Sequence, residues 1–477
     1  MKLIKNFLFK NTNQKQTIFK NTFWLTIAEV FTRLLKFFLV IYIVRILGAT
    51  EYGKFTFAFS FASLLTIISS MGLPAIVIRE FARDKKKEKH FPTIISLKLF
   101  LSALGVLVLS VGSLFITDDP SIRRIMLMLI FYTFIADFGV IFYAFFKARQ
   151  RMEYESWTKI IQAFVLVSSG FLAIYCLPSI VSLTYAYILS AIISFVVISW
   201  FFYSKVSHFK LSLDKKVWKY FLGLSWPLAL VTGLDIVYSS TDSVMLGYFK
   251  QITETGYYNA AYKIIGMVVL PMNLIIQSFY PALGSCLKVK ERFKKIWKFE
   301  MKIMTFLAIP ITIGGIVLAP KIIQFIYGKD FLPAVFAFQI LFIKAALLYF
   351  YSPYRETMII FNLQRRLFKI IFLSACLNIV LNYFLIPLYS LNGAAMATAT
   401  TQFVVLTALI LLVSKNTFLS FLKTFLTRFS LVCFLASLVM LLLIINIDFH
   451  VVAMILLGGL AYLSSFALFY KLIVKKT

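Results

Sequence analysis

Leu47-Gly48-Ala49-Thr50-Glu51-Tyr52-Gly53-Lys54-Phe55-Thr56-Phe57-Ala58 decides the fold, because its pattern returns later in the chain. Leu246-Gly247 and then Glu254-Thr255-Gly256-Tyr257-Tyr258-Asn259-Ala260-Ala261 repeat it, with Glu, Gly, an aromatic residue and Ala each displaced by 203 positions. Apolar stretches of roughly 20 residues flank each copy, long enough as helix to cross about 30 Å of hydrocarbon. Each copy therefore reads as a tight connection between two membrane helices.

Outward from these turns, apolar runs alternate with charged breaks along the whole chain and give about fourteen spans at the usual helix length. The cores that matter below are span 1 at 23–44, span 2 at 55–78, span 4 at 125–146, span 7 at 220–246, span 8 at 257–283, span 10 at 331–354, span 11 at 370–389 and span 12 at 392–413. The two turns lie six spans apart. Six is even, so the halves share orientation and are parallel repeats about an axis along the membrane normal, with a cleft between them. The expected architecture is an all-α polytopic membrane protein: a first lobe at 1–205, a second at 206–414, and two extra helices within 415–477.

Composition agrees. Hydrophobic residues make up 61% of the chain and charged residues 14%, which excludes a soluble domain. A net charge of +30 would ordinarily suggest nucleic acid. The distribution argues otherwise, because 37 of the 49 Lys and Arg fall in one alternate set of connections and only 7 in the other. That asymmetry is the signature of cytoplasmic loops, so both termini are expected in the cytoplasm and the charge is expected to meet anionic membrane lipids, with no nucleic-acid partner. Around Leu3, Ile4, Phe7 and Leu8 the lysines of the N-terminus suggest an amphipathic helix on the inner surface. Cys176, Cys286, Cys376 and Cys433 lack metal-site or disulfide spacing, and His90, His208 and His450 fall in connections, so no metal centre or cofactor is expected.

Four segments together resemble the polysaccharide exporters, the O-antigen and teichoic acid flippases of the multidrug/oligosaccharidyl-lipid/polysaccharide exporter superfamily. They are Val44-Arg45-Ile46-Leu47-Gly48 with Glu51-Tyr52-Gly53; Gly72-Leu73 before Arg79-Glu80; Gly256-Tyr257-Tyr258-Asn259-Ala260-Ala261-Tyr262-Lys263; and Asn382-Tyr383-Phe384-Leu385-Ile386-Pro387 followed by Gly393-Ala394-Ala395-Met396-Ala397-Thr398. Ser390 stands where that branch often carries glycine. The resemblance implies a V-shaped pair of six-helix lobes, alternating access, a polyprenyl-diphosphate-linked oligosaccharide as cargo, and polysaccharide-assembly proteins as further partners.

A charge in hydrocarbon costs at least about 2.5 to 3.5 kcal/mol, so each one needs a partner or a watery cavity. Glu29, Arg33 and Lys36 share one face of span 1 by their three- and four-residue spacing, and Asp235 and Asp242, seven apart, share a face of span 7. Asp137 lies in span 4, Lys263 in span 8 and Lys344 in span 10. Lys98 is close enough to a span end to snorkel. Two readings stand side by side. In one, Glu29 and Arg33 are an internal ion pair and the aspartates hydrogen-bond neighbouring helices. In the other, Arg33, Lys36, Lys263 and Lys344 neutralise a diphosphate while Glu29, Asp137, Asp235 and Asp242 couple transport to an ion. By resemblance to superfamily members that hold a cation between spans 7, 11 and 12, Asn378, Asn382 and Thr398 join Asp235 as coupling candidates.

Two other functions compete with the flippase. A multidrug exporter would more often run to twelve spans and would want an anionic cleft. A membrane glycosyltransferase, polymerase or ligase should carry a large outer loop with paired acids, whereas the acids here, Glu51, Asp118, Asp119, Glu254, Asp330 and Asp448, are dispersed over short connections. The charge asymmetry makes one clean prediction. In a cysteine-free background, Lys86→Cys, Lys215→Cys and Lys294→Cys should react with an impermeant thiol reagent only from the cytoplasm. Asp119→Cys, Ile252→Cys and Asp448→Cys should react only from outside. A systematic inversion after any one span would overturn the count.

Overall fold

The computed structural model describes residues 13–206, 211–287, 289–420, 427–447 and 449–473. The expected N-terminal amphipathic segment lies outside them. Every regular element among the described residues is helical, as a chain that must satisfy its backbone amides inside hydrocarbon requires. Among the described residues, twelve segments are long and apolar enough to cross a membrane. Contacts gather the chain into two compact units, Met1–Thr253 and Glu254–Thr477.

Unit 1 contains α1 (Gln14–Ser63), α2 (Leu65–Ser70), α3 (Leu73–Arg83), a 3-10 turn (Lys85–His90), α4 (Phe91–Ile116), α5 (Pro120–Ala148), α6 (Glu153–Cys176), α7 (Ile180–Lys205) and α8 (Lys215–Tyr248). Short polar side chains start several of them. Asn13 accepts from the Gln16 amide, Asp119 from Ser121 with Pro120 as first helical residue, Ser179 from Ser182 and Asp214 from Lys216, each answering an amide that the first helical turn leaves without a partner. The core is aromatic: the Phe91 ring lies 4.7 Å from Phe145, 5.2 Å from Phe202 and 5.9 Å from Phe142.

Span 1 and span 2 emerge as two arms of α1, turning at Gly48 with φ 75° and ψ 178°, a conformation that glycine adopts without steric cost. The hydroxyls of Thr50 and Thr253, one from each copy of the repeated turn, lie 2.8 Å apart. Span 2 is then interrupted twice more, at Leu64 and at Met71-Gly72, where both residues are left-handed. α8 packs within unit 1: Trp218 donates to the Thr93 carbonyl at 3.1 Å and the Ser240 and Ser63 hydroxyls meet at 2.9 Å. The division read from the repeat falls one helix earlier, after residue 205. The repeat counts helices in chain order, whereas packing places α8 by what it touches.

Unit 2 holds most of α9 (Ile252–Val268), then α10 (Leu270–Ser285), α11 (Lys290–Tyr327), a 3-10 turn (Lys329–Ala334), α12 (Val335–Ile360), α13 (Gln364–Asn416), α14 (Arg428–Asn446) and α15 (Val451–Ile473). Span 8, expected as one helix, breaks at Val269 ahead of Pro271, whose ring disfavours helical geometry in the residues before it. α14 and α15 rest on α11, with Met440, Ile444, Met454 and Tyr462 clustered around Leu318. α13 is two spans, 11 and 12, turning at Ser390. With α1 and α13 each counted as two crossings, the twelve segments contain the fourteen spans expected.

The turn at Ser390 is sharp. A Cβ on Gly393 would run into the Leu385 carbonyl, so the two arms touch backbone to backbone there. Ser390 itself has φ 55° and ψ −132°, a conformation disfavoured by any side chain, and its buried hydroxyl has no hydrogen-bond partner. Nothing in this position needs the serine. Ser390→Gly should therefore raise stability by about 1 kcal/mol, read as a higher thermal unfolding midpoint in detergent; a lowered midpoint would show that the serine makes an interaction worth more than its strain.

Candidate functional site

In unit 1 the polar face of α1 is present and partly open. Arg33 Nε donates to Glu29 Oε1 at 2.6 Å, one turn away, with the two side chains 38% and 43% exposed. The internal ion pair is thus formed, in a place that leaves both groups reachable. Lys36 is half-buried on the same helix, and the charges that act on it are Glu29 and, from α6, Lys159.

Asp137 has a different setting. α2 ends at Ser70, and its broken end leaves carbonyl groups with no helical partner. Lys98, from α4, supplies one: its Nζ donates to the Ser69 carbonyl at 3.0 Å and the Ser70 hydroxyl at 3.2 Å, and it forms an ion pair with Asp137. Asp137 also accepts from both hydroxyls, Ser70 at 2.8 Å and Ser69. Lys98 is 0% exposed. The expectation that it snorkels is therefore corrected: the break in span 2 creates a buried site that needs a cation, and Lys98 fills it. Asp137 is that cation's counter-charge.

Asp242 is buried and Asp235 is exposed. They share a helix face, but the buried positions of α8 are spaced apart before Ser240, at Phe221, Ser225, Ala229 and Gly233, and become continuous from Ser240 to Ser243, so Asp242 is enclosed and Asp235 is not. A helical period alone could not reveal that difference.

In unit 2, Lys263 is exposed on α9 while Lys344, on α12, is buried. Lys344 Nζ donates to Tyr262 Oη at 3.1 Å and lies 4.4 Å from the centroid of the same ring, a contact that combines a hydrogen bond with cation–π attraction. The lysine thus fixes the tyrosine that precedes Lys263. Asn378, Asn382 and Thr398 do come together across the two arms of α13. Asn378 donates to Thr398 at 3.3 Å and Asn382 donates to Asn378 at 3.1 Å. All three are buried, and their mutual hydrogen bonds are what buried amides require. Asp235 belongs to unit 1 and the asparagine set to unit 2.

Sequence reasoning missed Glu300 and Glu356. Glu300 lies in Lys294-Lys295-Ile296-Trp297-Lys298-Phe299-Glu300-Met301-Lys302, which reads as a solvated loop by its lysines. The helix instead begins at Lys290, and the buried stripe Phe293, Trp297, Glu300, Met304 includes the acid. That spacing was visible in the sequence. Unit 1 also carries a basic cavity of about 560 Å³ whose lining includes Lys85, Arg149, Arg151 and Lys205, with Arg149 forked onto Glu88 at 2.6 and 3.2 Å.

The family described as polysaccharide biosynthesis protein matches residues 18–286. The chain belongs to this family. Among individual relatives, the capsular polysaccharide biosynthesis protein CapF of Staphylococcus aureus is 22% identical over 401 residues, 81% of this chain and 97% of CapF. The probable flippase AglR of Haloferax volcanii is 28% identical over 169 residues, a match that spans 34% of this chain and 35% of AglR. The probable low-salt glycan biosynthesis flippase Agl15 of the same organism is 21% identical over 384 residues, 79% of each. Among solved structures, the lipid II flippase MurJ in an inward closed conformation superposes with a TM-score of 0.77 at 20% identity, covering 93% of this chain and 98% of MurJ. An outward-facing multidrug resistance MATE family transporter of the MOP superfamily gives 0.56 at 14% identity, covering 84% and 95%. The fold of this family member is that of the superfamily's transporters, and it is a multi-pass membrane protein.

The buried Lys98–Asp137 pair generates a double-mutant prediction. Asp137→Ala should destabilise by about 3 kcal/mol or more, because it leaves a buried cation without a counter-charge. Lys98→Met combined with Asp137→Ala should recover much of that loss. Thermal unfolding of the purified variants reads both, and strictly additive losses would contradict the pairing.

Proposed function

We propose that the chain is a flippase that carries a polyprenyl-diphosphate-linked oligosaccharide across the cytoplasmic membrane by alternating access, with both termini on the cytoplasmic side. The observation that carries this reading is the likeness to a lipid II flippase along 93% of the chain, in a member of a polysaccharide biosynthesis family. That structural neighbour is named for a lipid cargo, and Agl15 for glycan biosynthesis. A lipid-linked glycan is the cargo that meets both descriptions.

Each part of such a cargo finds suitable chemistry. An apolar groove of about 380 Å³ in unit 2, lined by residues including Phe306, Pro310, Gly314, Met440, Gly458 and Tyr462, suits a polyprenyl chain. As phosphate-binding cations we assign Arg33 and Lys36 within unit 1 and, separately, Lys263 within unit 2; Lys263 is exposed and the other two are partly exposed. Arginine can grip phosphate oxygens in a fork, whereas lysine acts as a point charge. Lys344, engaged by Tyr262, serves to position that tyrosine beside Lys263. For ion coupling we retain the exposed Asp235, and Asn378, Asn382 and Thr398 as a polar set. Glu29, Asp137 and Asp242 become supporting groups, the first two through their cations. The basic cavity beside Arg149 suits contact with anionic headgroups at the cytoplasmic surface, and polysaccharide-assembly proteins are the partners this role implies.

The multidrug reading is weaker, both in structural likeness and because exposed cations repel cationic drugs. The test is genetic: in cells lacking the native protein, Arg33→Ala and Lys263→Ala should each reduce polysaccharide export at least tenfold with near-normal membrane abundance. Lys36→Arg should keep export. Full export from the Arg33→Ala, Lys263→Ala double variant would remove these residues from cargo recognition.

A further inference from the structure

Among the described residues of unit 1, four of the five buried acids, Glu80, Asp137, Glu153 and Glu155, form ion pairs. Lys98 pairs with Asp137; Lys20 reaches Glu153 at 3.0 Å; Lys147 and Lys159 reach Glu155 at 3.0 and 2.7 Å; Arg79 and Lys87 reach Glu80. Glu300 in unit 2 is treated differently. Its side chain is 0% exposed and neither carboxyl oxygen has a hydrogen-bond partner.

Among the described residues, the surroundings supply no positive charge in compensation. Glu300 lies on the buried stripe of α11 between Trp297 and Met304, and the Trp297 ring meets Tyr354 of α12 edge-on at 5.3 Å. The charge that acts on Glu300 is a like one, Glu356 of α12, which also has an oxygen without a partner. Arg355, beside Glu356 in sequence, acts on Glu356. On α11 itself Lys298 and Lys302 are exposed, and Lys302 lies over the Phe429 ring at 5.4 Å. α10 brings only the exposed Tyr280, α14 brings Arg428 and Cys433, and α15 brings Tyr462, Tyr470 and Lys471. Lys329 and Asp330 of the 3-10 turn follow the opposite end of α11.

A carboxylate in this position would have given up water without gaining a donor or a counter-charge. The neutral acid suffers far less from the same burial, and it also relieves the repulsion between neighbouring carboxyls. We propose that Glu300, with Glu356 beside it, is a proton-binding site of unit 2. Glu300 holds one proton on a carboxyl oxygen while α11 and α12 are packed, and releases it to water only when that interface becomes hydrated. Proton occupancy is thereby tied to the packing of these two helices, whatever cargo the protein carries.

Infrared spectra of the purified full-length protein in lipid nanodiscs test this without any transport substrate. At neutral pH the wild type should show the carbonyl stretch of a protonated carboxylic acid, and Glu300→Gln should lose it. Glu356→Gln, as a control, should retain it. Glu300→Gln matches the neutral acid in shape and should keep the wild-type unfolding midpoint. If that variant fails to fold, Glu300→Asp serves instead, because it displaces the band in frequency without deleting it. A wild type lacking the band at neutral pH, or a band unchanged in both Glu300 variants, overturns the proposal. Because cargo is absent, failure here leaves the flippase reading standing, and failure of that reading leaves this site standing.

Discussion

Lys98 closing the broken end of α2 is the interaction on which unit 1 depends. Hydrocarbon offers no partner to a free carbonyl or a lone charge, so a helix can stop inside the membrane only where side chains finish its hydrogen bonds. Here one lysine, one aspartate and two serines do so together. Once the break at Met71-Gly72 is held, α3 departs in a new direction. A Cβ on Gly72 would come within 2.7 Å of the Ser225 carbonyl, so the same break lets α8 lie close against the start of α3.

Unit 2 obeys the same constraint with weaker groups. Lys344 is satisfied by a tyrosine hydroxyl and ring, and the turn at Ser390 brings Asn378, Asn382 and Thr398 into mutual contact. Glu300 is the exception that proves informative, since a group denied any partner can remain buried only in its neutral form. The ion pair at Asp137 and the neutral acid proposed at Glu300 are two solutions to one problem.

The number of crossings was legible because a hydrocarbon slab imposes a length, and the turn at Gly48 was legible because its sequence recurs. The break in span 8 had a local signal in Pro271, whereas the break in span 2 was not legible, because Leu64 and Met71 carry no turn signal and hydropathy averages over them. Lys98 was misread for the same reason, since its partner exists only once span 2 is broken. The differing exposure of Asp235 and Asp242 arises from how far neighbouring helices cover α8, a fact that no local pattern contains. Glu300 could have been found, because its place between Trp297 and Met304 follows helical spacing, but the surrounding lysines disguised it as loop.

Family membership makes the chain a polysaccharide biosynthesis protein with the fold of a lipid II flippase, and under the proposed flippase reading its exposed cations and its apolar groove each suit one part of a cargo that is anionic at one end and greasy at the other. The most direct measurement is reconstitution of the purified protein into liposomes carrying a polyprenyl-diphosphate-linked oligosaccharide, followed by enzymatic capture of the glycan exposed on the outer leaflet. The account predicts that protein-containing vesicles expose nearly all of the cargo, whereas protein-free vesicles stop at the outer half. Equal exposure in both would contradict it.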